Sequence, residues 1–191
     1  RIEMLKRAGF DPKIHRFIRG LRLSALLIYR LRRWLHGTGM TASWGQLLDS
    51  DGNVFSPECD IILHLDNEHS RWNGDCEANS HIMDYHFVPC EQALAVISCK
   101  SHIRKPSDVD RKYADSLKGF VGSVWLFAEC CTKGKHTKIA KAAKQAHYHG
   151  FWYLYDWSSD DPDIEISKAA NQEAWRSFHE TVRQLAAENN H

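Results

Sequence analysis

The chain has 191 residues, of which 43% are hydrophobic and 26% charged, the balance of one folded domain of ordinary size. That excludes a wholly disordered chain, and no run approaches the ~18 apolar residues of a membrane-spanning helix. The formal net charge of +1 points to no class of partner by itself.

The charge is unevenly spread. Residues 1–36 carry ten Lys or Arg against Glu3 and Asp11, a net +8. Residues 49–91 carry ten acids against Arg71, a net −9, and residues 130–150 carry five lysines and no acid. Basic flanks around an acidic centre fit a polyanion grip beside a metal pocket, and fit solvated faces equally well. The chain starts at Arg1 rather than Met, as expected of a fragment or a processed product.

Asp11-Pro12 reads as a helix start, and the apolar repeat from Ile14 to Leu35 continues it to Gly37. Thr41–Leu48 and Glu58–Leu65 read as strands joined by the turn Asp49–Asn53, an antiparallel hairpin. Residues 66–80 read as a polar loop containing Trp72, and Ile82–Val88 as a further strand or ordered loop. Ala93–Cys99 is a buried strand, and Pro106-Ser-Asp opens a helix over roughly 109–118. Ser123–Cys130 is a strand, 137–149 a Lys/Ala-rich helix and Phe151–Trp157 an aromatic strand. A loop over 158–163 leads to a last helix, 168–189. The order predicts an α/β fold: an antiparallel meander, then right-handed crossovers, with helices on both sheet faces.

The six cysteines (59, 76, 90, 99, 130 and 131) are irregularly spaced and lack a CxxC pair. Free thiols in a reducing cytosol are expected, and a zinc site from Cys76, His81, His86 and Cys90 is the weaker alternative.

The chemistry concentrates at two strand ends, Pro57-Glu58-Cys59-Asp60 and Ser98-Cys99-Lys100. Residues two apart share a strand face, so Glu58 pairs with Asp60 and Ser98 with Lys100. Side by side, these ends gather carboxylates and a lysine. Carboxylates suit Mg²⁺ or Mn²⁺, and the lysine offsets phosphate charge and positions water.

This arrangement resembles the PD-(D/E)XK nuclease superfamily, over roughly residues 12–157. The stretch from Asp51-Gly52 through Ser56–Ile62 to Glu91, and then Ala95–Ser101, looks like an uncharacterised bacterial branch of it. The resemblance implies a restriction-endonuclease-like mixed β-sheet flanked by helices. Residues 1–157 would form that domain, with 158–191 a loop and C-terminal helix packed on it. It implies a metal-dependent nuclease, on DNA rather than RNA, in bacterial defence. Asp60 would be the metal-binding aspartate, Lys100 the catalytic lysine, and the Cys99 carbonyl a further metal ligand. The motif's acidic position is Ser98, and residues 12–36 hold no acid where the first helix often supplies a glutamate. Glu58 or Asp115 is the expected substitute, with Asp110 and Glu91 weaker choices. The alternative is a catalytically degenerate fold that binds nucleic acid or assembles with partners. Composition alone supports a third reading, a small-molecule enzyme using Cys and His.

Arg16 and Arg19 on the first helix, and Lys135, Lys138 and Lys141 at three-residue spacing, are the expected phosphate contacts. The 151–157 aromatics read as sheet core. A homodimer or larger defence complex, no membrane and a cytoplasmic location complete the expectation.

Overall fold

The computed structural model describes residues 16–66, 85–157 and 170–189, with residues 16–20 given by backbone alone. The beginning of the first helix, residues 67–80 of the polar loop with Trp72 and Cys76, His81, and the 158–163 loop lie outside the described residues.

The apolar repeat forms α1, Arg16–Trp34. Leu23, Leu27, Ile28, Leu31 and Leu35 bury one stripe of it and its continuation, and Gly37 follows at φ 80°, the left-handed stop that glycine adopts freely. The strands are β1 (Met40–Leu48), β2 (Cys59–Leu65), β3 (Tyr85–Pro89), β4 (Ala93–Ile103), β5 (Ser123–Thr132) and β6 (Gly150–Trp157). Between β4 and β5 lies α2 (Arg111–Leu117), between β5 and β6 α3 (His136–Gln145), and α4 (Gln172–Glu188) closes the described chain.

The six strands form one mixed sheet in the order β3-β1-β2-β4-β5-β6. β1–β2 and β2–β4 are antiparallel, whereas β4–β5 and β5–β6 are parallel. The expected α/β class with helices on both faces is therefore what the chain forms. The opening meander needs one correction. β3 pairs with the outer edge of β1 and runs parallel to it. Its direction follows from the path of the chain: β2 has already returned antiparallel to β1, with Leu65 opposite Met40, and β3 then runs alongside β1 from Trp44 onward. β3 comes in close at Gly45, where a side chain would collide with the His86 carbonyl.

Alternation along the central strands divides the core in two. Ile61, Leu63, Ala95, Ile97, Cys99, Trp125 and Phe127 pack beneath α1 and the Phe178 and Val182 face of α4. Ile62, Val96, Val124, Leu126 and Ala128 pack beneath α2 and α3, through Ala114, Leu117, Ile139 and Ala143. Burial of each large apolar side chain contributes about 1.5–3 kcal/mol. Arg22 of α1 forms an ion pair with Glu129 of β5, both side chains nearly buried. No described helix is long and apolar enough to cross a membrane.

Several boundaries differ from expectation; the last helix begins at Gln172 rather than 168, and β5 runs to Thr132 rather than Cys130. β4 runs on to Ile103 because β5 continues to pair with it, His102 opposite Cys130 and Ile103 opposite Cys131. The 109–118 helix shortens to α2, capped by the Asp110 carboxylate accepting the Tyr113 N–H. α3 stops at Gln145, because Tyr148 and His149 turn back onto the sheet.

Candidate active site

The last residues paired between β2 and β4 on this side are Ile61 and Ile97. Beyond them, the Asp60 carboxylate replaces main chain as the acceptor: the Cys99 N–H donates to Asp60 Oδ2 at 2.8 Å. In an extended strand, a residue's N–H and C=O lie along the same edge. The Cys99 carbonyl therefore faces the Asp60 side too. Val96, two residues before Ser98, faces α2 and α3, so alternation puts Ser98 and Lys100 on that face.

Burial raises the Asp60 carboxyl above its ordinary value, against the Cys99 N–H and the Lys100 ammonium, which lower it. Glu58 raises it further, which places that second carboxylate near enough to be felt. Glu58 is exposed and accepts a hydrogen bond from Trp44 Nε1 at 2.8 Å. β1 breaks register between Ser43 and Gly45, where Trp44 is situated.

Two tyrosines roof this junction. Tyr148 is buried and its hydroxyl donates to the Asp110 carbonyl at 2.9 Å. Tyr113 rises from the first turn of α2. Burial pushes both phenols above their usual range, and Asp60 adds to the rise in each. Ser98 lies beside the Tyr148 hydroxyl and Cys59 beside the Tyr113 hydroxyl. Neither pair makes a full hydrogen bond from Ser98 Oγ or the Tyr113 oxygen, and both atoms are buried without a partner among the described residues. A buried unsatisfied hydroxyl costs about 1–3 kcal/mol. Two of them near a carboxylate with a raised pKa form a combination that is common at catalytic sites.

The remaining expected residues distribute as follows. Asp115 engages Arg111 Nε at 3.3 Å and His147 Nε2 at 3.6 Å, and it is not among the charges acting on Asp60. Glu91 is exposed in the short turn before β4. Lys135, Lys138 and Lys141 are all exposed, with Ile139 and Ala143 buried on the opposite side of α3. Arg16 and Arg19 occupy the first turns of α1, and their side chains lie outside the described residues. Among the described residues, no group of three or more His, Cys, Asp or Glu gathers as a metal cluster. His86 and Cys90 belong to β3 and the turn after it. Cys59, Cys90, Cys99, Cys130 and Cys131 are free thiols. Burial raises the Cys59 and Cys131 thiols to about 11, keeping them neutral.

The sequence reading missed Tyr113, Tyr148 and Trp44. The available signal was weak: Tyr113 follows Asp110 at capping distance, and Tyr148 stands between two histidines at the end of a polar stretch.

No protein-family model matches the chain, and no curated protein matches it. Among solved structures, it is similar to NucC of E. coli MS115-1 in its cAAA-bound form: TM-score 0.66, 14% identity, covering 99% of this chain and 87% of that one. NucC of P. aeruginosa ATCC27853, also cAAA-bound, gives TM-score 0.64 at 13% identity, covering 98% and 88%. The apo form of the E. coli protein gives 0.51 at 12%, covering 93% and 98%. At such identities the likeness is one of fold: a mixed six-stranded sheet flanked by helices, restriction-endonuclease-like in class.

Proposed function

We propose that this chain is a divalent-metal-dependent nuclease that hydrolyses phosphodiester bonds in DNA, as part of bacterial defence against foreign DNA. One observation carries the reading: a buried carboxylate with a raised pKa, Asp60, fixed by the Cys99 N–H beside Lys100 and two unpartnered hydroxyls. The fold shared with the NucC nucleases supports it.

The residues present fit a hard cation, because the donors around Asp60 are oxygens, two of them buried and unpartnered. Asp60 would hold Mg²⁺ or Mn²⁺ with the Cys99 carbonyl, and Glu58 is the second carboxylate nearest to hand. A bound ion there supplies a more acidic water. Lys100 offsets charge on the phosphate and orients the attacking water. Ser98 Oγ donates to a phosphate oxygen or to that water. Asp115 is engaged by Arg111 and His147, so it serves only if those contacts are given up. Lys135, Lys138 and Lys141 contact backbone phosphates, at a helix start whose free N–H groups already favour anions; Arg16 and Arg19 do the same from α1. Cutting both strands of a duplex takes two sites, so the reading includes assembly of the chain with itself.

The second reading is a catalytically degenerate fold that binds nucleic acid. It is favoured by Ser98 at the acidic position and by the lack of a gathered three-ligand cluster among the described residues. A cleavage assay separates the two, using duplex DNA, single-stranded DNA and RNA with Mg²⁺, Mn²⁺ or EDTA. It is run with and without cAAA, the molecule bound in two of the similar structures. Metal-dependent DNA cleavage is expected. No cleavage under any condition, with salt-sensitive binding retained, would establish the binding module instead.

A further inference from the structure

On the same sheet face, α2, α3 and the starts of β5 and β6 enclose a groove of about 750 Å³. Lys118, Lys144, His147, Tyr148, His149 and Phe151 are among its lining residues; Asp60 and Lys100 are not. Tyr148 joins the two places, since it lines the groove while its hydroxyl lies beside Ser98.

His147 breaks a local rule. It is the one non-glycine residue with positive φ, 66°, among the described residues. It follows the cap of α3 in a Schellman turn, with Tyr148 N–H donating to the Ala143 carbonyl at 3.0 Å and His147 N–H to that of Lys144 at 3.2 Å. Glycine is the usual occupant of that slot, and a side chain there strains the backbone. What the position gains for the strain is an imidazole at the groove wall. His149 Nδ1 accepts the Val124 N–H at 3.0 Å. Its proton therefore sits on Nε2, making that atom a donor. Lys118 and Lys144 are exposed. The acid beside the groove, Asp115, is already shared between Arg111 and His147. The lining is otherwise mostly small and apolar, and the charged side chains among it, Lys118 and Lys144, are both basic, with the half-buried Phe151 ring beside them.

We propose that this groove is a phosphodiester-binding subsite. Lys118 and Lys144 hold phosphate oxygens, His147 joins them by exchanging its Asp115 contact for phosphate, His149 Nε2–H adds a donor, and Phe151 offers a ring face to a base or sugar. The proposal rests on the nucleic-acid reading above and extends the strand's path from Asp60 past Tyr148. The phosphodiester can belong to a long strand or to a short free oligonucleotide.

The test measures binding in the Asp60→Asn chain, so that it does not depend on cleavage. The probe is a fluorescein-labelled ten-nucleotide single strand, with unlabelled duplex DNA, a dinucleotide and inorganic phosphate as competitors. Lys118→Gln/Lys144→Gln is expected to weaken probe binding at least tenfold and reduce the salt slope by about 1.4. His147→Gly, which suits the left-handed slot, is expected to keep or raise the melting temperature while weakening binding severalfold. Competition by the dinucleotide as strong as that by duplex identifies a short ligand, and weaker competition a long strand; either supports the subsite. Unchanged probe affinity in both folded variants would overturn it. The nuclease reading stands or falls separately, on metal-dependent cleavage by the unsubstituted chain.

Discussion

The amide of Cys99 donates to the carboxylate of Asp60 across 2.8 Å, just past the last paired residues of β2 and β4. This contact orients Asp60 at the point where the ladder stops, and it leaves the carboxylate in a setting that penalises its charge. Between the ordinary carboxylate value and the raised one, the native state holds a proton that the unfolded state has lost. Ionisation of Asp60 therefore costs stability as pH rises through that window.

Asp60→Asn should consequently stabilise the fold. The amide oxygen can still accept the Cys99 N–H, and the buried charge is gone. A gain of about 1 kcal/mol at pH 7 is expected in urea unfolding, together with loss of cleavage. A destabilised Asp60→Asn chain would make Asp60 a structural residue.

Ser98→Asp should restore the acidic position of the motif. Ser98 is 1% exposed and shares the Lys100 face, so a second carboxylate there repels Asp60 until a cation binds. The variant is expected to melt below the parent chain in EDTA and to gain more in melting temperature on adding Mn²⁺. Equal Mn²⁺ shifts in both chains would place the metal elsewhere.

Acid should loosen the strand that carries Asp60. His64 of β2 is fully buried, with Ser43 Oγ 2.9 Å from Nε2 and the Leu65 carbonyl 2.8 Å from Nδ1. The carbonyl can only accept, so Nδ1 bears the proton and Nε2 accepts from Ser43. Burial, first, then the nearby His86, lower His64 from 6.5 to about 4. The unfolded chain therefore takes up a proton that the native chain refuses between those values. Stability present above pH 6.5 is lost as pH falls toward 4, by up to about 3 kcal/mol. Urea midpoints from pH 7.5 to 4.5 should fall for the parent chain and much less for His64→Gln.

The Arg22–Glu129 pair should matter mainly when halved. Its side chains are 12% and 9% exposed, so removing one partner takes a close opposite charge from a nearly buried group. Glu129→Leu is expected to cost about 3–5 kcal/mol, and Arg22→Met/Glu129→Leu much less. A double-mutant cycle by chemical denaturation, with Arg22→Met as the second single variant, checks this; a double-variant loss equal to the sum of the two single losses would show that the pair is not coupled.

Much of this was legible in the sequence, for identifiable reasons. Ala93–Cys99 reads as a strand because both of its faces are buried, leaving a nearly unbroken apolar run. Ser98 and Lys100 share a face through strand alternation alone. The place of β3 was not legible, because which edge a strand joins is decided by distant residues such as Gly45, whose missing side chain admits the His86 carbonyl. Tyr113 and Tyr148 gain meaning only once α2 and α3 fold onto the sheet. Asp115 looked available on a helical pattern, but His147, in its left-handed turn, engages it.

The central claim is tested most directly by the single-turnover rate of duplex DNA cleavage in Mn²⁺ for the parent chain, Asp60→Ala and Lys100→Ala, with DNA affinity measured in parallel. The account expects metal-dependent cleavage by the parent chain, a loss of about 10²-fold or more in each variant, and little change in affinity. Cleavage at the parent rate in both variants would contradict it.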